Sequence, residues 1–339
     1  MGTFLKRHHW VTPLALLTPG ILWLLVFYLW PALQMFIASF WHGSLEKGFV
    51  FSLDNWTNYT NAVGQFAPFY LRSVVYAAAA TTTTFLIAYP LAYTIAFKGG
   101  RYKNLMLFLV VAPFFTSFLL RTISWKIILG DVGPIIGPLK GIGILPQDFH
   151  ILATPMAVIA GITYNFLPFM TLPVYVALEK IDVRLVEAAK DLYAGPWRPG
   201  GLIAGAVTGG VLLGVLGVVF DADWAIFAVV GAVFGGLVGW FLVSESFIRV
   251  TFPLSLSGVF AGGLLTFIPA IGDYINAELL GNPSTNMIGN VIQNKFLTQN
   301  DYPTASALSF AMMAGVLIVV AIYAKVLGTE ELSAAAARA

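Results

Sequence analysis

The sequence contains no cysteine and very little charge, and both shortages narrow what the protein can be. Asp, Glu, Lys and Arg make up only 10% of its 339 residues, whereas about a quarter is usual for a soluble domain. With 58% hydrophobic residues and a mean hydropathy of +0.84, the chain carries more apolar surface than a water-facing fold could bury. The lack of cysteine excludes disulfides and thiolate metal sites. We therefore predict an integral membrane protein.

Motifs for catalysis and nucleotide binding are also missing. The sequence has neither the HExxH pattern of zinc hydrolases nor the GxxxxGK[ST] phosphate-binding loop. No apolar run pairs two carboxylates or combines Ser, His and Asp. We therefore expect no catalytic residue, no metal site and no cofactor in this chain, and any ATP that matters is expected on a separate chain. The formal net charge of +2 is too small to indicate a nucleic-acid partner.

Long apolar runs dominate what is present. A membrane-spanning helix needs about 20 mostly apolar residues, and backbone groups in lipid must be satisfied within the segment, so such runs are expected to be helices. The fold class is therefore all-α and polytopic. We expect the first run to be retained, because it is too long for a signal peptide and aromatic residues fill the place of a cleavage site. Eight runs without Asp, Glu, Lys or Arg cover residues 13–40, 74–97, 104–120, 152–178, 202–220, 225–243, 252–271 and 305–324.

Basic residues between the runs give an orientation. They fall on one side if each run crosses once, and the positive-inside rule makes that side the cytoplasm. The N-terminus is then cytoplasmic, and residues 51–70 form an extracytoplasmic loop before the second helix. The basic residues are Lys6, Arg7, Lys98, Arg101, Lys103, Lys180, Arg184, Lys190 and Arg198.

A charged stretch, ALEKIDVRLVEAAKDLYAGPW (residues 177–197), interrupts this apolar pattern. Its spacing predicts a helix over about 181–193, with Asp182 as N-cap and a stop at Gly195-Pro196. One apolar stripe is expected along it. The stripe comprises Ile181, Leu185, Ala188 or Ala189, and Leu192.

This helix is too short and too charged to span the membrane. It is either an ordinary interfacial helix or a helix that docks into a partner. The small Ala188 and Ala189 favour docking, because a groove can approach them closely. Glu187 and Asp191 are then expected to face cations at the rim of that groove.

The sequence Glu187-Ala188-Ala189, followed by a Gly-containing turn and an apolar RVTFPL segment, resembles the EAA loop of ABC-importer permeases. In that family the loop is the coupling helix that seats in a cleft of the ATPase. Four further segments are similar to the first permease subunit of spermidine/putrescine importers, and the resemblance covers nearly all of the chain outside residues 198–246. They are APFFTSFLLRTISWKIILG (112–130), ITYNFLPFMTLPVYVALEKID (162–182), FIRVTFPLSLSGVFAGGLLTFIPAIGDY (247–274) and ELLGNPSTNMIGNVIQNKFL (278–297).

Two departures from this family pattern stand out. Tyr193 occupies the place of the motif glycine, which leaves Gly195 as the candidate for the turn. In addition, 49 residues separate Trp197 from Phe247, where the family runs on almost directly. Residues 201–220 and 225–243 are each long enough to span, and GxxxG spacings in both suit close helix packing. They are predicted to form either a packed transmembrane hairpin or generic glycine-rich membrane segments.

The predicted organisation therefore has three parts. Residues 1–197 form the first part of a six-helix permease core and end in the coupling helix. Residues 198–246 form an inserted two-helix hairpin, expected at the rim of the core. Residues 247–339 complete the core and end in a short cytoplasmic tail.

Candidate substrate-path residues follow from the polyamine that the resemblance implies, because aromatic faces and carboxylates tolerate an ammonium group. Asp273 and Tyr274 lie at the outer end of the seventh run, and Tyr164 and Asn165 are polar groups in the fourth. Trp125 completes the set. Two alternatives stay open: Trp125 as an interface anchor and Asp273 as a solvated helix end.

The resemblance implies a permease subunit of an ATP-driven importer in a bacterial cytoplasmic membrane. It also implies a second, homologous permease, an ATPase dimer, an external solute-binding protein and surrounding lipid as partners. Ferric iron, thiamine or an opine-like amine are alternative substrates. A self-sufficient secondary transporter would need ionisable residues within its membrane segments, and the runs have none; a membrane enzyme would need catalytic groups.

Overall fold

The computed structural model describes residues 11–44, 46–52, 56–192, 210, 231–232, 235–236 and 247–336. Apart from those isolated positions, the predicted inserted hairpin lies outside the described residues, as does Gly195. The described part of the chain is predominantly helical. Its helices are α1 (Val11–Leu24), α2 (Trp30–Ala38), α3 (Thr57–Tyr93), α4 (Lys103–Val111), α5 (Phe118–Ile128), α6 (Ile136–Gly141), α7 (Pro155–Glu179), α8 (Val183–Leu192), α9 (Phe252–Ile271), α10 (Ile275–Leu280), α11 (Ile288–Gln293) and α12 (Tyr302–Ala336).

Helices long and apolar enough to cross a membrane correspond to six of the predicted runs. Five are continuous segments, and α4 with α5 form a sixth if the bent pair is one span. Most of the continuous segments extend beyond a single α-helix because π-helical turns continue it. The five segments are Leu16–Ala38, Thr57–Lys98, Pro155–Glu179, Phe247–Ile271 and Tyr302–Ile322.

The third apolar run was predicted to cross the membrane once, as a single helix over residues 104–120. The structure breaks it into two helices instead. The segments on either side of the break, Gly100–Phe115 and Phe118–Ile128, are bent by 96°. Pro113 lies in a 3₁₀ turn at the break, and Thr116 has an extended backbone (φ −98°, ψ 152°). Proline lacks the N–H that a continuing α-helix needs, so the helix ends here. The sequence nevertheless stays apolar through the break.

The second span starts much earlier than predicted. An extracytoplasmic loop was predicted over residues 51–70, yet α3 begins at Thr57 and the helical segment runs for 42 residues to Lys98. At 1.5 Å per residue this is about 63 Å, about twice the thickness of the hydrocarbon core. The helix therefore projects beyond the membrane. Outside the membrane, polar and aromatic residues can be solvated within a helix, so they do not end α3.

The described structure divides into two compact units, and the first comprises residues 1–68 and 291–339. It holds an antiparallel hairpin that an all-α prediction missed, formed by β1 (Trp41–Ser44) and β2 (Gly48–Phe51) with Trp41 opposite Phe51. The Asn58 side chain donates hydrogen bonds to the carbonyls of Ser39 and Trp41, at 2.8 and 2.9 Å. These bonds tie the hairpin to the start of α3.

The second unit, residues 69–290, is built around α7 and α9. These two helices form the most extensive contact between described elements. The Tyr89 hydroxyl of α3 lies 2.7 Å from the Ser255 hydroxyl of α9, so a polar contact fixes the third helix of this core. Small residues on α9 let it approach α7 closely, as small residues do in membrane helices generally.

Gly258 is the position where this approach is tightest. A Cβ there would lie 2.5 Å from both the Ala177 Cβ and the Pro173 carbonyl oxygen of α7. Because backbone cannot move aside, Gly258→Ala is expected to separate the helices and cost about 1–3 kcal/mol of stability, lowering the unfolding temperature measured in detergent. Gly315→Ala is the matched control, because nothing lies within 4 Å of a Cβ at that helical glycine. An equal unfolding temperature for the two variants would contradict the packing described here.

The helix before the undescribed segment and the turn after it are in contact. Val186 of α8 packs in the same apolar cluster as Phe247, which begins the π-helical turn Phe247–Thr251. The chain thus leaves and re-enters the described structure at neighbouring places. An insertion between these places is compatible with the core around it.

Candidate functional site

The charged stretch forms a short helix, α8, with the predicted cap. The Asp182 carboxylate accepts a hydrogen bond from the backbone N–H of Arg184 at 2.9 Å, which satisfies one of the N–H groups that a helix start leaves unpaired. α8 spans Val183–Leu192, within one or two residues of the predicted ends. The Asp182 prediction is confirmed.

The single apolar stripe predicted for this helix is wrong, because its apolar residues divide between two faces. Val186 and Ala189 are buried, with Val186 only 4% exposed, whereas Leu185 and Leu192 are 53% and 77% exposed. Val186 had not been assigned to the stripe. Val186 belongs to an apolar cluster with residues of α7 and α3, including Leu178 and Tyr89. α8 is thus anchored to its own chain and presents a second apolar face outward.

The predicted coupling residues do not all lie on that outward face. Glu187, Ala188 and Asp191 are exposed. Ala189 is buried against the core of the chain, so it is not available to a groove of a partner as the docking prediction required.

A groove of about 710 Å³ lies between α7 and α9 and reaches α8. Its walls are mostly apolar, from Leu172 and Val176 on one side to Leu254 and Ala261 on the other. Leu185 of α8 lines it too. A displacement of α8 would therefore change the shape of this groove.

A buried polar network joins α5, α7 and α10 in the second unit. The Asn165 side-chain amide donates to the side-chain oxygen (Oδ1) of Asn276 and to the Thr122 hydroxyl, at 3.2 Å each. The Thr122 hydroxyl in turn donates to the Asn276 oxygen at 3.3 Å. Gly161 makes room for this, because a Cβ there would lie 2.6 Å from the Asn276 oxygen.

Asp273 anchors one end of this network. Its carboxylate accepts hydrogen bonds from the Asn276 backbone N–H at 3.0 Å and from the Asn276 side-chain amide. The side chain is only 7% exposed, so the alternative of a solvated helix end does not hold. Burial raises the pKa of the Asp273 carboxyl, and the hydrogen bonds from Asn276 act in the opposite direction.

The predicted aromatic residues lie beside the network. The rings of Trp125 and Tyr164 meet edge to face with centroids 5.2 Å apart. Trp125 also packs against an apolar cluster that includes Leu129 and Leu280. Tyr274 is 39% exposed, and its carbonyl accepts a hydrogen bond from the Asn290 amide at 3.0 Å. Asn165 and Asp273 are thus linked through Asn276, and Trp125 and Tyr164 contact one another.

Sequence reasoning missed four polar residues at this place: Thr122, Asn276, Glu278 and Arg121. Glu278 is exposed and accepts a hydrogen bond from Asn290 at 3.0 Å. All four lie just outside the apolar runs in the sequence, which made them look like loop residues. The pattern Arg-Thr directly after a run that contains proline could have indicated Arg121 and Thr122, but it says nothing of Asn276 and Glu278.

Curated proteins show extended similarity to this chain. It is 33% identical over 303 residues to the spermidine/putrescine transport system permease protein PotB of Haemophilus influenzae, covering 89% of each chain. It is 30% identical over 303 residues to PotB of Escherichia coli K12, covering 88% of this chain and 92% of that protein. The inner membrane ABC transporter permease protein YdcU of E. coli K12 is 24% identical over 267 residues, 75% of this chain and 68% of that protein. No family model matches the sequence.

Among solved structures, the fold resembles that of one chain in the crystal structure of a bacterial ABC transporter involved in import of the acidic polysaccharide alginate. The TM-score is 0.56 over 96% of both chains, with 16% sequence identity. At that identity the likeness concerns the fold alone.

Proposed function

The chain belongs to the family of the PotB permeases, and from this premise we propose that it is the transmembrane subunit of an ATP-driven importer of spermidine and putrescine. It is a multi-pass protein of the bacterial cytoplasmic membrane. A second, homologous permease completes the translocation path, an ATPase dimer binds ATP on separate chains, and a solute-binding protein delivers the substrate. This chain itself carries no cofactor and contacts lipid around its rim.

The observation that carries the proposal is the geometry of α8. Val186 and Ala189 anchor the helix to the core, while Glu187, Ala188 and Asp191 face outward. An anchored helix with an exposed acidic and apolar face suits a groove of a partner with basic groups at its rim. We assign these three exposed residues to contact with the ATPase, Ala189 to seating α8, and Gly195 to the turn after it.

The ion pair between Lys103 and Glu179 supports a cytoplasmic position for α8. The Lys103 ammonium lies 2.6 Å from the Glu179 carboxylate, which joins the basic loop after the second span to the end of α7 just before α8. The basic loop of residues 98–103 thus lies on the same side as α8. By the positive-inside rule, that side and the N-terminus are cytoplasmic.

For the substrate path we propose the polar network and its aromatic neighbours. Trp125, Tyr164 and Tyr274 offer aromatic faces to an ammonium, and Asn165 offers a carbonyl oxygen that has no hydrogen-bond partner among the described residues. The buried Asp273 supplies negative charge beneath them. A diamine or triamine is attracted to this combination of rings and charge.

A direct mechanical connection joins the two sites. Ile181 and Val186 pack in one apolar cluster with Leu178, which lies near the end of α7. α7 is a single helix that carries Asn165 midway along its length. Movement of α8 with the ATPase is therefore transmitted along α7 to the polar network, since closely packed helices move as rigid bodies.

Uptake of labelled substrate tests this function. A host without its own polyamine importers would express the chain with its partner subunits, and accumulation of spermidine and putrescine would be measured. Concentrative uptake supports the proposal. No uptake by a complex that assembles and hydrolyses ATP would reject polyamines and redirect the search to ferric iron, thiamine or opine-like amines.

Asp273→Asn tests the negative charge beneath the path. The amide keeps an acceptor for the Asn276 N–H but removes the charge, so the half-saturation concentration for spermidine is expected to rise about tenfold, equivalent to about 1.4 kcal/mol. Asp131→Asn is the control, because Asp131 pairs with Lys140 at 3.0 Å on an exposed loop. Unchanged half-saturation in Asp273→Asn would leave Asp273 as a helix cap only.

A further inference from the structure

Glu278 carries a carboxylate whose position is fixed by a buried neighbour. The Asn290 side-chain amide donates a hydrogen bond to the Oε2 of Glu278 at 3.0 Å, although Glu278 itself is exposed. The same amide donates to the Tyr274 carbonyl at 3.0 Å, and the Asn290 side-chain oxygen accepts from the Met287 N–H at 3.1 Å. Asn290 is therefore held at both ends of its amide group, and it orients the Glu278 carboxylate.

A close approach of α11 to the chain before α10 makes this arrangement possible. A Cβ at Gly289 would lie 2.6 Å from the Gly272 carbonyl oxygen and 3.3 Å from the Tyr274 Cβ. The next residue, Asn290, is only 3% exposed, so a buried donor supports a carboxylate that faces outward. A side chain held in place by a packed neighbour is what a preorganised binding site requires.

Tyr274 lies one helical turn before Glu278 and shares its face. The Glu278 N–H donates to the Tyr274 carbonyl at 2.9 Å, and residues four apart on a helix have Cβ atoms about 5–6 Å apart. Tyr274 is 39% exposed, so an aromatic ring and a carboxylate stand side by side on an exposed surface. A ring attracts an ammonium group through its face, and a carboxylate accepts its N–H hydrogen bonds.

This carboxylate has no cation of its own within the described part of the chain. The ion pairs among the described residues use other carboxylates, those of Glu179, Asp131 and Asp301. An oriented acceptor with an aromatic neighbour and no paired lysine or arginine is suited to a cation that arrives from outside the chain.

Cations outside the described residues belong to the opposite side on the proposed topology. The N-terminus and the C-terminal tail are cytoplasmic there, whereas Glu278 follows the outer end of the span Phe247–Ile271, which is about 38 Å long at 1.5 Å per residue. α8 packs at the other end of this span, beside Phe247, and six residues of chain after α8 reach at most about 22 Å. The undescribed cations are Lys6, Arg7, Arg198 and Arg338.

We infer that Tyr274 and Glu278 bind one ammonium group of the substrate at the outer entrance of the proposed path. The inference deepens the proposed function and rests on it. The ammonium donates to the Glu278 carboxylate and lies against the Tyr274 ring, while the charge of the adjacent Asp273 attracts a second ammonium of the same diamine or triamine. Asn290 is a positioning residue, because it acts through Glu278.

Equilibrium binding of labelled spermidine tests the site. The two permeases and the ATPase dimer would be purified together in lipid nanodiscs, without the solute-binding protein. Glu278→Gln keeps an acceptor for Asn290 but removes the charge, so its Kd is expected to rise about tenfold, as for the loss of one hydrogen bond to a charged group. Glu46→Gln is the control, because it makes the same change at an exposed residue between β1 and β2 and should leave the Kd unchanged.

Tyr274 provides an independent pair of variants. Tyr274→Leu removes the ring and is expected to raise the Kd about threefold, whereas Tyr274→Phe keeps the ring face and should bind as the wild type does. Equal binding by these two variants would show that the ring does not contact the substrate. Because neither variant alters Glu278, this comparison also decides the inference if Glu278→Gln fails to assemble.

Unchanged binding by Glu278→Gln would overturn the inference, as would a wild-type complex that transports spermidine but does not bind it in this assay. Loss of the second permease from purified Glu278→Gln would also overturn it and place the carboxylate at the subunit interface. The uptake experiment separates this inference from the proposed function. Uptake of spermidine by the wild type together with unchanged binding by Glu278→Gln rejects only this site, whereas no uptake by an assembled wild-type complex rejects the substrate itself.

Discussion

Replacing Glu187 with arginine is expected to abolish substrate uptake while leaving the membrane helices folded. Glu187 is exposed on α8 and makes no ion pair with the described residues, so the change breaks no ion pair within the described part of the chain. At a docking surface with basic groups, the reversed charge meets like charge and costs several kcal/mol. The measurement is uptake of labelled spermidine together with recovery of the ATPase on the purified permease.

The control for this variant is Glu46→Arg, which makes the same charge change at an exposed position between β1 and β2. That variant should transport normally. A further variant of the ATPase, with a basic residue of its groove changed to glutamate, should restore transport to Glu187→Arg. Normal uptake and normal ATPase binding by Glu187→Arg would contradict the assignment of α8 as the coupling helix.

Asn276→Leu is expected to have the largest effect on stability. Asn276 is fully buried and pairs with three side chains at once. Leucine would leave the Asp273 carboxylate without its side-chain donor and would remove one partner each from Asn165 and Thr122, which keep their bond to one another. Each buried group left without a partner costs about 1–3 kcal/mol, and more if it is charged. We therefore expect a loss of about 3 kcal/mol or more, measured as a lower unfolding temperature and a lower yield of assembled complex.

A combined variant separates the network from simple packing. If Asn165→Leu and Thr122→Val are added to Asn276→Leu, most stranded groups disappear, and replacing whole hydrogen-bonded sets by apolar groups is often nearly neutral. The triple variant should be more stable than Asn276→Leu alone. If instead the three changes add up to a larger loss, the residues would be contributing volume rather than hydrogen bonds.

Hydrophobic pattern predicted the spans well because lipid allows few alternatives. An apolar segment in the membrane must satisfy its own backbone, so its length and its lack of charge nearly determine its structure. The same pattern failed at residues 112–117, since the sequence stays apolar through the break and only Pro113 indicates it. It failed again at α3, because a helix that leaves the membrane needs no apolar residues to continue.

The cap of α8 could be predicted, but the face that it buries could not. An aspartate at the start of a helix caps a nearby backbone N–H, which is a local interaction. The hydrogen bond from the Arg184 N–H to Asp182 confirms it. Leu185 and Val186 are both apolar and adjacent, and periodicity alone cannot choose between them. The choice depends on the packing of Val186 with Leu178 of α7 and with Phe247, which is distant in sequence.

The polar network shows the same limit at the candidate site. Asn165 and Asp273 stood out in the sequence because they are polar at the middle or end of an apolar run. Asn276, which joins them, lies in the short helix α10 and has no distinctive neighbours. Its position depends on Gly161, whose missing side chain lets α10 approach α7. Such a contact between distant residues leaves no periodic trace in the sequence.

Reconstitution tests the central claim most directly. The purified importer would be placed in proteoliposomes with ATP enclosed and the solute-binding protein with labelled spermidine outside. We predict accumulation that requires enclosed ATP and is lost with Glu187→Arg. Accumulation without ATP, driven by an ion gradient across the membrane, would contradict the account and indicate a self-sufficient secondary transporter.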